Sequence, residues 1–316
     1  MNRTQVQALI PEEVSREIIQ NVAARSTFMQ LARRLPNMSR KQHRIPVLNN
    51  LPDAYFVNGD TGLKQTTDME WGNVYINAEE IAVIVPIPEA VLDDADYDIW
   101  AEARPQIEEA FGRTIDKAVY FGTDRPSVWP EGIVTQAVAA GNDVDLSATV
   151  GAGDDIYDAL LGEAGVWADV ENDGYAVTGA VSTLSMRGRL RGLRDSQGNP
   201  IFKSVQGQGG VQGATSYELD GVPLNFLRNI SEAESSALVI AGDWDKVVYS
   251  IRQDMTFKLL DQAVIQNPDG SIRYNLAQQD MVALRVVMRL GWALPNPASR
   301  VNTNASTRCP FGVLVP

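Results

Sequence analysis

The sequence predicts an α+β fold in which one long helix and a few long strands form a body from which a hairpin projects. Three patterns carry this. Residues 73–78 alternate, with Val74, Ile76 and Ala78 on one face and Asn73, Tyr75 and Asn77 on the other, which is strand periodicity. Ile107, Phe111, Thr114, Ile115 and Ala118 recur at helical spacing, with Glu108, Glu109, Arg113, Asp116 and Lys117 on the opposite side. Val282, Leu284, Val286, Met288, Leu290 and Trp292 alternate with Ala283, Arg285, Val287 and Arg289, giving a strand with one wholly apolar face.

The elements follow in chain order. Residues 11–35 read as a helix: Pro11 suits a first turn, Glu12 and Glu13 favour its positive end, and Val14, Ile18, Val22 and Phe28 fall near helical spacing. The stretch ends at Leu35-Pro36-Asn37, and an arginine-rich helix there is either an ordinary packed helix or a partner-binding arm. Two extended segments, 42–48 and 71–85, flank a polar stretch and predict a long hairpin with a loose tip. An isolated two-stranded hairpin is marginal in water, so its apolar face requires a cover from elsewhere. Pro105 would lose a hydrogen bond inside a helix and clash with the carbonyl of Ala101, which predicts a helix start near Pro105 after a turn around 98–103.

Between 133 and 250, segments 154–170 and 183–193 read as helices, and 175–177, 222–226 and 238–241 as short buried strands. Glycine-rich links at 141–153 and 206–213 complete a compact α/β unit. Strands at 256–265 and 272–274 flank the turn signal Asn267-Pro-Asp-Gly270. The proline- and asparagine-rich tail after Pro295 reads as irregular.

A chain of 316 residues with 44% hydrophobic content can bury substantial cores, as one large domain or two intertwined ones. The longest uncharged apolar stretch, 81–88, is too short to cross a bilayer, and Met1-Asn-Arg-Thr lacks the apolar core of a signal peptide. A soluble protein made in a cytosol is therefore expected. The lone Cys309 has no internal disulfide partner, and one cysteine with one histidine does not make the usual Cys/His zinc cage.

Net charge is −13, unevenly placed. Residues 1–44 carry 8 basic and 3 acidic side chains, 45–175 carry 5 and 26, and 176–316 carry 14 and 11. A basic start joined to an acidic middle is self-complementary between copies. Each exposed pair contributes only ~0–1 kcal/mol, so such pairing sets register more than strength. An acidic surface serving solubility is the alternative. No long basic stripe with interleaved aromatics is present, which disfavours tight nucleic-acid binding.

Catalytic constellations are scarce. His43 is the only imidazole, sits beside Lys41 and Arg44 in a predicted strand, and reads as structural. Gly207-Gln-Gly209-Gly210-Val-Gln-Gly213 lacks phosphate-cradle spacing and a following Lys-Ser/Thr, so it reads as a flexible loop. Asp93, Asp94, Asp96 and Asp98 offer carboxylates to a hard cation such as calcium, but without the register of a helix-loop-helix site they read as a solvated helix start. Asp154-Asp155 and Asp243-Trp244-Asp245 also read as helix starts. Arg187, Arg189, Arg191 and Arg194 are spread around one predicted helix, a solvated face.

One ordered set of motifs remains. Pro86-Ile-Pro88-Glu89-Ala-Val-Leu-Asp93-Asp94 leads through the helix to Phe121-Gly122-Thr123 and then to Glu131-Gly132-Ile133. Leu190-Arg-Gly-Leu193-Arg-Asp195-Ser-Gln-Gly198-Asn-Pro200-Ile201, Tyr217-Glu-Leu219-Asp-Gly221-Val222-Pro223-Leu224, Ala241-Gly242-Asp243-Trp244 and 283–291 with Pro295-Asn296-Pro297 follow. In this order, over nearly the whole chain, the set resembles the major capsid proteins of tailed bacteriophages.

That resemblance implies the Hong Kong 97 phage-type capsid fold: an N-terminal arm (1–38), an extended β-hairpin loop (39–80), a peripheral domain with a spine helix (81–132), an axial domain (133–253), and peripheral return strands with a C-terminal tail (254–316). It favours the arm over the ordinary packed helix at the N-terminus. It implies a non-enzymatic shell protein without cofactors that forms hexamers and pentamers of an icosahedral virion shell around double-stranded DNA, held without sequence-specific binding. Assembly in the host cytoplasm is implied, with a portal and possibly a decoration protein, and no membrane. Because the chain starts at Met1 almost directly in the arm, a separate scaffolding protein is expected.

The residues implied at subunit contacts are Arg25, Arg33 and Arg34 in the arm and Phe56, Lys64, Asp68 and Trp71 in the loop, with Ile107, Phe111 and Ile115 marking the spine helix. Lys64 lies where some members carry a cross-linking lysine, but no partner or activating carboxylate is identifiable, so a cross-link is not expected. Two other readings stand beside this one: an encapsulin-type compartment shell, and a metal-dependent acidic α/β enzyme using the Asp93–Asp98 cluster.

Overall fold

A computed structural model gives the fold, and it describes residues 26–57, 64, 66–94, 99–151, 156–193, 202, 204–205, 216–228, 230–231 and 234–316. A short helix α1 (Thr27–Leu31) leads into β1 (Arg33–Arg34), the hairpin strands β2 (Gln42–Asn50) and β3 (Glu70–Asn77), and then β4 (Glu79–Pro88). The helical turn α2 (Glu89–Asp94) precedes the long α3 (Ile99–Tyr120). Next come α4 (Ile133–Ala140), β5 (Asp143–Asp145), α5 (Leu146–Gly151), α6 (Ile156–Leu161), α7 (Val166–Asn172), β6 (Gly179–Thr183) and α8 (Met186–Gly192). The chain continues through β7 (Ser204–Val205), β8 (Ser216–Leu219), β9 (Val222–Leu227) and β10 (Val239–Gly242). It closes with β11 (Val248–Leu260), β12 (Val264–Gln266), β13 (Ile272–Asn275), β14 (Met281–Ala293) and β15 (Phe311–Val315).

Two large sheets organise these elements. The first has the order β1-β11-β14-β4, and the second β5-β15-β10-β6-β9-β8-β7. In the first, β14 pairs antiparallel with both neighbours, so that Leu284 lies opposite Leu259 and Val85, and Val286 opposite Phe257 and Val83. The apolar face read from the alternation of β14 packs on α3: Leu284, Val286, Met288, Leu290 and Trp292 share one core with Ile107, Phe111, Ile115 and Val119. Each such side chain contributes about 1.5–3 kcal/mol relative to exposure. The second sheet buries Leu160, Trp167, Met186 and Leu190 from its helices against Val239, Ala241 and Leu314.

Several expectations are corrected. The helix read over 11–35 is, within the described residues, only α1: Ala32 is already extended, and Arg33 and Leu35 donate to the carbonyls of Val247 and Tyr249 as a strand parallel to β11. A waiting sheet edge and the pre-proline restriction on Leu35 outweigh helical spacing there. Helix α3 does not start at Pro105 but six residues earlier, with Pro105 inside it. Trp100 and Ala103 pack on the same core as Phe111, so burial upstream of the proline offsets its one lost hydrogen bond.

The segment 71–85 is not one strand. It breaks at Ala78, whose N–H bonds the carbonyl of Lys41, and β3 and β4 join different sheets. The described part of 154–170 splits into α6 and α7 at Gly162 and Gly165, where the chain passes so close to Asp158 and Leu160 that a side chain has no room. Thr183 ends a strand, not a helix start, and 175–177 forms no strand.

The largest miss is the tail. Residues 311–315 form β15, seated between β5 and β10 near one side of the second sheet, with Phe311, Val313 and Leu314 fully buried. A five-residue strand buried on both faces shows no alternation to read.

Candidate assembly surfaces

The hairpin strands pair from Gln42 opposite Asn77 out to Asn50 opposite Glu70. Its root is fixed by packing. Ile76 and Ala78 are buried with Met38, Val248 and Ala293. Gly291 in β14 lets the backbone of Asn77 cross at contact distance, where any Cβ would meet the Asn77 carbonyl and Ile76 Cγ2. Trp129 Nε1 donates to the Asn77 carbonyl at 3.0 Å, and Asn77 Nδ2 donates to Val128 O at 3.2 Å, so the proline-rich loop after α3 grips the same residue from the other side. Further out, Ala298 N donates to Leu48 O at 2.9 Å and Arg300 pairs with Asp53 at 2.7 Å.

Beyond this the hairpin carries uncovered apolar groups. Phe56 is fully exposed and Trp71 is 62% exposed, with Tyr55, Met69 and Tyr75 also open. Lys64 and Asp68 are exposed as well, and Asn50 Nδ2 donates to the Asp68 carbonyl at 3.4 Å. Thus Phe56, Lys64, Asp68 and Trp71 all lie on one projecting feature. It is a patch of the kind that marks an interaction surface.

Arg33 and Arg34 lie exposed in β1, and neither has an acidic partner among the described residues; Arg34 donates to Asn37 Oδ1 at 3.1 Å. Arg25 lies outside the described residues. Ile107, Phe111 and Ile115 line the chain's own core.

One buried polar group links the start of the described chain to α3. Asp116, expected on the polar face of α3, is fully buried and accepts from Ser26 Oγ (2.6 Å), Thr27 N (3.1 Å), Thr27 Oγ1 (3.1 Å) and Phe28 N (3.2 Å). Burial raises its carboxyl from 3.8 to about 6, against the lowering effect of those donors. Phe28 then fills an aromatic pocket of Tyr120, Tyr249 and Trp292.

The second sheet is tied to its surroundings by two further networks. Asp173 accepts from Asn142 Nδ2 (2.9 Å), Cys309 N (2.8 Å) and Asn302 Nδ2 (2.6 Å), anchoring the segment that precedes β15; burial pushes the Cys309 thiol up to about 12. Glu234 bridges Arg113 (2.7 Å) and Lys117 (2.5 Å) of α3, and these hydrogen bonds, with those from Ser231, hold its carboxyl down at about 2.

The remaining candidates fall as follows. His43 is half-buried in β2 opposite Ile76. Arg187 is not part of a solvated face: its guanidinium sits 4.6 Å over the Tyr217 ring, while Arg189 and Arg191 are exposed. Asp243 caps the turn Trp244–Lys246 by accepting from Asp245 N. Asp96, Asp98, Asp154, Asp155, Arg194 and the 207–213 loop lie outside the described residues. No metal-ligating cluster occurs among the described residues.

The sequence matches the phage capsid family over residues 7–301. It is 27% identical over 283 residues to the major capsid protein of Staphylococcus phage 80alpha, covering 88% of this chain and 79% of that protein. A solved structure from Microbacterium phage Oxtober96 is 35% identical with a TM-score of 0.75, covering 92% of this chain and 91% of that one. One from Mycobacterium phage Adephagia is 32% identical, also at 0.75, covering 100% and 98%.

Proposed function

The chain belongs to the phage capsid family and is a major capsid protein of a tailed phage with the Hong Kong 97-type fold, and on that premise we propose how its surfaces build the shell. Copies assemble with one another into a virion capsid. In our reading they do so as hexamers and pentamers in which the hairpin of one subunit lies over its neighbour. The observation that carries this is the contrast between a root locked into the body and a distal half that leaves Phe56 and Trp71 in water. Covering those rings on a neighbour supplies burial that the isolated subunit lacks.

We assign the second sheet and its helices to the axial domain and the first sheet with α3 to the peripheral domain. Arg33 and Arg34 meet acidic surface of an adjacent copy and set register. The chain works without catalysis, with a separate scaffolding protein, a portal and possibly a decoration protein as partners, and is assembled in the host cytoplasm. An acidic subunit also suits a container for DNA, since a basic lining holds phosphate tightly.

Negative-stain microscopy of purified protein, alone and with the scaffolding candidate, tests the reading. Closed shells are the expected result, and a population that stays monomeric at every concentration with and without scaffold would overturn it. Arg33→Glu with Arg34→Glu is expected to reduce particle yield while leaving the subunit's melting temperature unchanged; a normal yield removes the electrostatic role of the arm.

A further inference from the structure

Ser26, Thr27 and Phe28 are the first described residues of the chain, and all three hold the same carboxylate, Asp116. Ser26 also caps α1 by accepting from Met29 N, so the first turn of this five-residue helix is satisfied partly by its own cap and partly by the spine helix. Among the described residues, no cation acts on Asp116. Arg113 and Lys117 on the same helix are engaged by Glu234. The titratable groups on the elements packed around the clasp are Tyr120, whose hydroxyl bonds Thr27 Oγ1 at 3.0 Å, and Tyr249 of β11, whose hydroxyl donates to Met29 O; Arg34 of β1 acts on Tyr249.

A fully buried carboxylate whose donors among the described residues are all neutral is an expensive way to fix a short helix, because the charged form has left water. Wherever the first turn of α1 lifts off, Asp116 regains water and that cost is relieved. We propose that the clasp between Asp116 and residues 26–28 is a joint that opens and closes with pH, looser at neutral pH and tighter in acid.

The sign follows from linkage. The clasped carboxyl titrates at about 6 and the ordinary one at 3.8, so the closed state binds a proton more tightly than the open one. Acid therefore closes the joint across that window. Between pH 7.5 and 4.5 the opening equilibrium falls roughly 30-fold.

Hydrogen exchange at the Thr27 and Phe28 amides, corrected for intrinsic rates and measured on dilute, unassembled full-length subunits, reads the opening directly. Protection is expected to rise roughly 30-fold from pH 7.5 to 4.5 in the wild type. Asp116→Asn is expected to flatten the profile, and Ser26→Ala, which removes a donor to the ionised form, to move its midpoint upward. Wild-type protection that is flat or falls in acid overturns the proposal, even if Asp116→Asn fails to fold; so does an Asp116→Asn profile identical to wild type. Because no shells are present, this outcome is read separately from particle yield, on which the assembly reading stands or falls.

Discussion

The two halves of one hairpin differ more than most pairs of domains do. Near Asn77 the backbone is crossed by Gly291, gripped by Trp129 and underpinned by fully buried Ile76; at the other end Trp71 of β3 and, in the segment after β2, Tyr55 and Phe56 stand in water. Both halves share one ladder of backbone hydrogen bonds. The difference is therefore in side-chain cover, and it separates a feature that must be aimed from one that must bind. A rigid root sets direction, while an uncovered tip leaves surface for another copy to bury.

The contrast is broken most severely at the root. Ile76→Ala is expected to destabilise the subunit by about 2–5 kcal/mol, since it empties a dry site between the hairpin and β14. Urea unfolding of the unassembled subunit measures this, and a loss near zero would mean the root is held by backbone alone. Gly291→Ala follows, at about 1–3 kcal/mol, because the added methyl meets backbone and not a flexible side chain. That variant is also expected to misdirect the hairpin, so shell yield drops further than its melting temperature suggests.

At the tip the expectation reverses. Phe56→Ser with Trp71→Ser should leave subunit stability within about 0.5 kcal/mol of wild type, because Phe56 is fully exposed and Trp71 is mostly so. Sedimentation velocity should nonetheless show the assembled fraction collapsing; equal assembly would strip the tip of its role. The smallest effect lies away from the hairpin, at Glu234. Its depressed carboxyl contributes stability that is fully present above the ordinary value of 4.5 and is lost progressively as pH falls from there through about 2. Glu234→Gln should therefore lower the melting temperature slightly at pH 7 and equally at pH 5, with the difference shrinking in high salt, as expected for an exposed pair.

Much of this was legible in the residues. The alternations around Ile76 and along β14, and the helical spacing of Ile107, Phe111 and Ile115, depend only on which face is apolar. Ile76, alternate positions from Leu284 to Trp292, Ile107, Phe111 and Ile115 are buried as read, whereas Thr114 is exposed and Glu108 and Asp116 are buried. The pairing of two strands across a polar stretch was legible too, since both flanking segments carry strand patterning. What misled was local chemistry overruled by distant partners. Pro105 reads as a helix start, yet Trp100 and Ala103 find the core and carry α3 past it. Asp116 reads as a solvated carboxylate, yet residues some ninety positions earlier in the chain supply its donors. Trp129 gave a partial signal, as an indole in a loop between two prolines, but its acceptor at Asn77 lies in another element.

By itself the sequence determined periodicity, the order of parts, the separation of a basic start from an acidic middle, and through the order of motifs the family. These are local or additive properties, and they survive without knowledge of neighbours. Only the tertiary structure decided that β3 and β4 part at Ala78, that the last residues close the second sheet as β15, and that a buried charge ties the start of the described chain to the spine helix. Each of those depends on which groups far apart in the chain meet out of water, where an unpaired donor or acceptor is costly and a paired one overrides what its own neighbours in sequence would favour.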